Sequence, residues 1–484
     1  MQVTKKQFAV NALWKMLEQF GSKGISMVVS IVLARILMPE DYGLIAIAAI
    51  FTGLSDILID GGFSTALVQK KDIDEEDYGA VFTVSICIAT FLYLILFITA
   101  PYVAGYYNQS ELTLVLRIMG ITFFIQAFTA VRNGIVNRNM RFKELFMCNM
   151  AATLLSGIVG IVCALTGFGV WALVIQRLLQ TLLLNLFLLF RVSWKCRLCF
   201  RPKRIKAMLG FSSGVVGSSL LSYASSMMYT AFIGKNYSVS DLGYYDKGIQ
   251  TPQQLSLYTF GAMSNVLLPT ISACQDDLGR VKHIVRKVIR YTCFLIAPLM
   301  AVLAITSEDV IVILFTEKWL PATQIMQWMC LYNFALPFSL VCVQVYFALG
   351  KSYIRIRVEL VRLLMLILLL IYCALTPGCT IYFLACLYAF VGVFIAGVSY
   401  FEVRRLLRYT LPEMSSDIWK SIICTMLASV TMIAVKVLLT ANVFVSFFLT
   451  VFVGCVVYVL MSVLFRNDCM TEVAQMIKTR FHRG

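Results

Sequence analysis

Fourteen windows of about twenty apolar residues follow one another along this chain, which leaves few folds open to it. They run approximately over 9–34, 42–67, 79–104, 110–131, 145–166, 168–190, 208–233, 241–268, 289–315, 322–349, 353–375, 380–402, 418–439 and 443–465. Hydrocarbon offers no hydrogen-bond partners, so each window has to be a helix that satisfies its own amides. Charged residues make up only 14% of the 484 residues, against about 25% in soluble domains. A soluble enzyme or binding module is thereby excluded, and an all-α integral membrane protein of about 14 transmembrane helices is expected. Enzyme signatures are missing as well. There is no Walker loop, no outer connection is long enough for a catalytic domain, and His283 and His482 fall in segments read as cytoplasmic. The segment after Lys5 and Lys6 runs too long for a signal peptide and lacks a cleavage site.

The formal net charge of +16 is a topology signal. Counting alternate loops from a cytoplasmic N-terminus, the outer loops hold only Arg35, Lys235 and Lys318, and the inner segments hold nearly all the other loop lysines and arginines. This is the positive-inside asymmetry, and it predicts cytoplasmic N- and C-termini. Anionic membrane lipids are the partners such loops imply, with no role for nucleic acid. Of the fifteen cysteines only Cys379 falls in an outer loop, so no disulfide framework is expected. Cys196 and Cys199 lack a second pair, and neither metal nor cofactor is implied.

A repeat appears at an offset of 200 residues. LARILMPEDYGL (33–44) aligns without gaps on IGKNYSVSDLGY (233–244), pairing Asp41 with Asp241 and Gly43 with Gly243. The register continues from Gly61, Ser64 and Leu67 to Gly261, Ser264 and Leu267. Each copy is an outer turn followed by one span, and an even number of spans separates them. The expected organisation is an N-terminal lobe (1–192, spans 1–6), a basic cytoplasmic linker (193–207) and a parallel C-terminal lobe (208–408, spans 7–12). Two additional spans and a cytoplasmic tail (409–484) complete it.

Polar residues inside the spans point to a site. Asn11, Lys15, Glu18, Ser22 and Ser26 recur at helical spacing as one stripe along the first span, with Lys23 beside it. A charge facing lipid near mid-bilayer costs about 2.5–3.5 kcal/mol, so this face turns either to a packed polar interface or to an aqueous cavity that attracts anions. Thr52, Asp56 and Asp60 form a second stripe on span two, read as counter-ions to the lysines or as a coupling-ion site. Arg117, Arg177, and Lys247 with Gln250 add further in-membrane polar groups. Binding at a repeat interface near mid-membrane is the general expectation for such transporters.

Three stretches resemble a known family: LARILMPEDYGLIAIAAIF, NGIVNRNMRFKELF (133–146) and LGYYDKGIQTPQQLSLYTFGAMSNVLLPTISACQDDLGRVK (242–282). They are similar to the polysaccharide exporter (Wzx-type) flippases of the MOP superfamily, in the branch of O-antigen, colanic acid and teichuronic acid export. The resemblance implies a MOP/MATE-like pair of lobes in a bacterial inner membrane. It further implies a secondary transporter that moves a polyprenyl-pyrophosphate-linked oligosaccharide to the outer leaflet by alternating access. Glycosyltransferases and a polymerase of the same pathway are the partners it suggests. Lys15, Lys23 and Lys247 are the cations it nominates for the pyrophosphate. A MATE-type small-molecule exporter, a lipid II flippase and a polysaccharide polymerase or ligase are the alternatives.

Overall fold

The structure is a computed structural model describing residues 5–60, 67, 73–192, 194, 199, 202–438, 442–472 and 475; the side chains of 5–13, 15–20, 202–215, 218, 262–266, 269 and 352 are outside the description. Its elements are α1 (Lys5–Ile36), α2 (Pro39–Asp60), α3 (Glu75–Tyr107), α4 (Leu112–Met119), α5 (Ile121–Arg138), α6 (Phe142–Leu165), α7 (Val170–Arg191) and α8 (Pro202–Asn236). There follow α9 (Val239–Ser272), α10 (Leu278–Ile305), α11 (Ser307–Phe315), α12 (Ala322–Ala348), α13 (Ser352–Leu375), α14 (Ile381–Leu407), α15 (Leu411–Leu438) and α16 (Val443–Leu464). Among the described residues, eleven helical segments are long and apolar enough to cross a bilayer, and Leu112–Arg138 counts as one of them. The 22 residues of α2 span about 33 Å at 1.5 Å per residue, which matches the hydrocarbon thickness.

The 200-residue register is visible in the backbone. The first turn lies between Ile36 and Pro39, and its counterpart lies between Asn236 and Val239. Asp41 Oδ2 accepts the amide of Met38 at 2.9 Å, and Asp241 Oδ2 accepts that of Ser238 at 3.1 Å. Each aspartate thus caps the turn that opens its helix, satisfying a donor the helix cannot reach. The paired glycines serve close approach. A Cβ on Gly43 would stand 2.0 Å from the Val239 carbonyl oxygen, and one on Gly243 would stand 2.0 Å from that of Pro39. Each half also carries a short helix, α4 and α11, before its fourth long one.

The chain divides into two compact units, Met1–Gly243 and Tyr244–Gly484. In the first, α1 packs on α6 and α6 on α7, while α8 lies against α2 and α3. Gly53 lets α8 come close: the Tyr223 hydroxyl reaches the carbonyls of Ala49 and Ile50 at 2.7 and 2.9 Å. In the second unit, Val281, Val285, Ile289, Cys293 and Ala297 recur every four residues along α10 and meet Phe338, Val341, Cys342 and Val345 of α12 in one buried cluster. Other faces are apolar and bare. Leu360, Leu364, Leu368, Ile371 and Leu375 form an exposed stripe on α13, which only a lipid environment tolerates.

Two sequence expectations need correction. The fourth span was expected to end at residue 131, with Arg132 in an inner loop. Instead α5 continues to Arg138, and Arg132 is 4% exposed, donating to the Asn185 amide oxygen with its guanidinium over the Trp194 ring. The ninth span was expected to start at residue 289, but α10 starts at Leu278 and carries Lys282, Arg286, Lys287 and Arg290 on its first turns. These positions were read as loop because periodicity assigns charge to water; here the charge is matched inside the unit.

That matching ties α10 to α15 and to the segment beyond α16. Asp417, almost fully buried, receives Arg286 Nε at 2.7 Å, Arg290 Nη2 at 2.6 Å and the Tyr409 hydroxyl at 2.9 Å. Lys282 bonds Glu413 at 2.8 Å, Arg290 reaches Asp468 at 3.1 Å, and Lys287 bonds Glu472 at 2.8 Å. The hydrogen bonds from Lys287 and Tyr291 hold the Glu472 carboxyl below its ordinary value of 4.5. This stabilisation is therefore present at neutral pH and is lost as the medium is acidified through and below that value. Asp417→Ala strands two guanidiniums. It should cost about 3 kcal/mol and lower the melting temperature in detergent well beyond Glu472→Ala, whose partners are half-exposed. Equal melting temperatures for the two variants would refute the ranking.

Candidate functional site

Three helices of the first unit each turn a polar stripe toward one cavity. On α2 the stripe is Asp56 and Asp60; on α5 it is Gln126, Thr129 and Asn133; on α7 it is Arg177, Gln180 and Thr181. Spacings of three and four residues place each set on a single helix face. Together with Ile59, Ala130 and Leu184 they line an open cavity of about 300 Å³, at the small end of ligand-sized cavities.

The wall is partly satisfied from within. Thr129 and Thr181 hydroxyls donate to carbonyls of their own helices, Ile125 at 3.0 Å and Arg177 at 3.0 Å. Gln180 Nε2 donates to Thr153 Oγ1 at 3.2 Å, behind the wall on α6. Gln126 hydrogen-bonds the Asp56 carboxylate, and the Arg177 guanidinium lies within electrostatic reach of it. Two oxygens have no hydrogen-bond partner among the described residues, Asp56 Oδ1 and Asn133 Oδ1, and both are buried. Acceptors outnumber donors on this wall, so it suits a proton, a small cation or a donor-rich neutral group.

The repeat supplies an internal comparison. Asn133 recurs as Asn333 at the 200-residue offset, but Asp56 is replaced by Ser256. In the second unit Ser256 Oγ donates to the Asn333 carbonyl at 2.8 Å, and both residues are fully buried. A carboxylate lining a cavity in one half thus corresponds to a closed hydroxyl contact in the other.

The structure brings Asp56, Asp60 and Arg177 together, although the sequence presents them as separate features of spans two and six. The remaining candidates lie elsewhere. Arg117 on α4 donates to the Phe97 carbonyl at 3.4 Å and stacks over the Phe97 ring at 4.1 Å. Lys247 is 2% exposed in the second unit, bonds Gln250 Oε1 at 3.1 Å and lies 5.8 Å from the Phe315 ring centre. Lys23 is exposed on α1, while the neighbouring Ser22 Oγ is buried without a partner among the described residues. The side chains of Lys15 and Glu18 lie outside the described residues. Sequence reasoning missed Gln126 and Asn133. Their spacing of seven on one helix face was the available signal, and it was lost because span four was drawn to end before Asn133.

The pairing across this wall has a measurable consequence. Arg177→Gln removes the one guanidinium among the described residues of a wall with two carboxylates and should lower folded yield and melting temperature. Adding Asp56→Asn should recover part of that loss. A coupling of about 1–2 kcal/mol is expected from the double-mutant cycle, and strictly additive effects would show that the two side chains do not interact.

Comparison with known proteins places this geometry in context. Residues 32–324 match the family described as "Polysaccharide biosynthesis protein". The succinoglycan biosynthesis transport protein ExoT of Rhizobium meliloti (strain 1021) is 28% identical over 318 residues, covering 66% of this chain and 64% of that protein. The lipopolysaccharide biosynthesis protein WzxC of Escherichia coli (strain K12) is 19% identical over 327 residues, covering 66% and 65%. The matched stretch is thus just under two thirds of either relative's length. Among solved structures, the lipid II flippase MurJ in an inward closed conformation superimposes with a TM-score of 0.76 at 17% identity, covering 95% of this chain and 100% of that one. An inward-facing multidrug resistance MATE family transporter of the MOP superfamily follows with a TM-score of 0.66 at 14% identity, covering 83% and 98%. The expected MOP/MATE-like membrane fold is therefore the observed one.

Proposed function

The chain belongs to the polysaccharide biosynthesis protein family, and we propose that it is a flippase moving a polyprenyl-pyrophosphate-linked oligosaccharide from the inner to the outer leaflet of a bacterial cytoplasmic membrane. The observation that carries this reading is the family match over residues 32–324, supported by relatives named for succinoglycan transport and lipopolysaccharide biosynthesis. The fold adds a physical reason. A multi-pass bundle with polar groups turned inward and bare apolar faces outward can shelter a charged headgroup while its lipid tail stays in hydrocarbon.

Within this reading both termini are cytoplasmic, and the basic loops rest on anionic lipid. Lys15 and Lys23 are the proposed contacts to the pyrophosphate, since a charge-assisted bond is about twice as strong as a neutral one. The cavity wall of Asp56, Asp60 and Arg177 has the wrong balance for a phosphate, two carboxylates against one guanidinium. Its proposed role is therefore ionic coupling or charge balance. Glycosyltransferases and a polymerase of the same pathway are the proposed partners.

A deletion strain should accumulate lipid-linked oligosaccharide on the cytoplasmic leaflet, and the intact gene should restore export. Lys15→Gln with Lys23→Gln should cut export at least tenfold at unchanged expression, with arginine at both positions restoring more than glutamine does. Full export by the double glutamine variant would remove the lysines from the substrate path. Asp56→Asn that folds normally and exports without dependence on an ion gradient would assign coupling to the cavity wall, and unchanged dependence would exclude it.

A further inference from the structure

The loop joining α13 to α14 has the sequence CALTPGC, with Cys373 in the last turn of α13 and Cys379 just before α14. Its backbone is a tight turn. The Cys379 amide donates to the Thr376 carbonyl at 3.4 Å, closing a four-residue β-turn over Pro377 and Gly378. Gly378 has φ +82°, the left-handed value a type II turn requires after proline. On the α13 side, both the amide and the hydroxyl of Thr376 bond the Tyr372 carbonyl, at 3.0 and 2.8 Å. On the other, Thr380 caps α14 by accepting the amide of Phe383 at 3.3 Å. Turn and cap together fold Cys379 back toward the end of α13, where its side chain interacts with that of Cys373.

The charge pattern identifies the face. Lys351, Arg355 and Arg357 stand at the start of α13 and Arg404, Arg405 and Arg408 at the end of α14, whereas residues 376–380 carry no charge. The positive-inside rule puts the thiol pair at the extracytoplasmic end of the hairpin, where thiols meet an oxidising environment. We propose that Cys373 and Cys379 are a disulfide site that staples the outer end of α13 to the start of α14. The inference rests on the orientation given under the proposed function.

The reaction balances with a protein disulfide as oxidant. The Cys379 thiol, partly exposed whereas Cys373 is buried, loses its proton and attacks one sulfur of the donor disulfide, releasing one donor thiolate. The Cys373 thiolate then attacks Cys379 Sγ in the mixed disulfide and releases the second. The chain gives up two electrons and two protons, and the donor leaves as a dithiol. The remaining cysteines lie in helices, in inner segments or within the bilayer, so they provide internal controls.

Differential alkylation of the full chain tests the site. Membranes are denatured in light N-ethylmaleimide, reduced, and treated with deuterated maleimide, and the peptide spanning Cys373, Cys379 and Cys386 is read by mass spectrometry. Heavy label on Cys373 and Cys379 with light label on Cys386 is the expected result. Light label on all three overturns the proposal. In Cys373→Ser, Cys379 should become light-labelled and react with a membrane-impermeant maleimide added to intact cells. If it reacts from outside while the wild-type pair is light-labelled, the disulfide alone fails and the orientation stands. If it reacts only after the cells are opened, the orientation fails and takes the disulfide with it. A fall in melting temperature on reduction of the wild type, absent in Cys373→Ser, gives a second readout that does not depend on transport.

Discussion

Charge can stay within the hydrocarbon only where another group of the same chain meets it, and most of this fold follows from that constraint. Asp417 is held by two arginines and a tyrosine. Arg132 is met by Asn185 and the Trp194 ring, Arg362 by Glu359 at 3.2 Å, and Lys436 by Asp309 at 2.9 Å. Each pair joins two turns or two helices that apolar contact alone would leave free to slide. With lipid tails as apolar as leucine, the association of spans depends heavily on such contacts and on close packing at small residues. The near-contact of Gly43 and Gly243 with opposing carbonyls is the packing counterpart of the same rule.

The cavity wall of the first unit is one of the places where polar satisfaction is incomplete. Ser256 bonds a neighbouring helix, whereas Asp56 and Asn133 each keep a buried oxygen without a hydrogen-bond partner among the described residues, as Asn333 does in the second unit. An unpaired buried acceptor costs about 1–3 kcal/mol. On this wall that cost falls where polar side chains of three helices line one cavity. Divergence at the Asp56 and Ser256 positions shows how a duplicated bundle can specialise: one half keeps a cavity, and the other turns the same helix contact into packing.

Much of the architecture was legible because one-dimensional signals carry it. Apolar run length gives the spans, and the matching turns at Asp41 and Asp241 give the repeat. Helix boundaries were less legible where charge continues into a helix. The first turns of α10 read as loop until Asp417, Glu413, Asp468 and Glu472 are brought beside them, because those partners lie more than a hundred residues away. Separation along the chain also hid the site. Asp56 was legible as part of a stripe on span two and Arg177 as an in-membrane cation, but no periodicity within one helix states which other helix its face will meet.

The amino-acid sequence by itself determined that this chain is a helical membrane protein, that its two halves repeat, and where its turns fall. These are consequences of hydropathy, charge and glycine chemistry acting over a few residues at a time. Tertiary structure alone decided which polar stripes converge, that α5 and α10 extend past their expected ends, and that the turn after α13 brings Cys379 back toward Cys373. Those outcomes depend on side-chain partners supplied by other turns and other helices. The energy that fixes them arises when the elements pack, so it is absent from the local pattern of any one element.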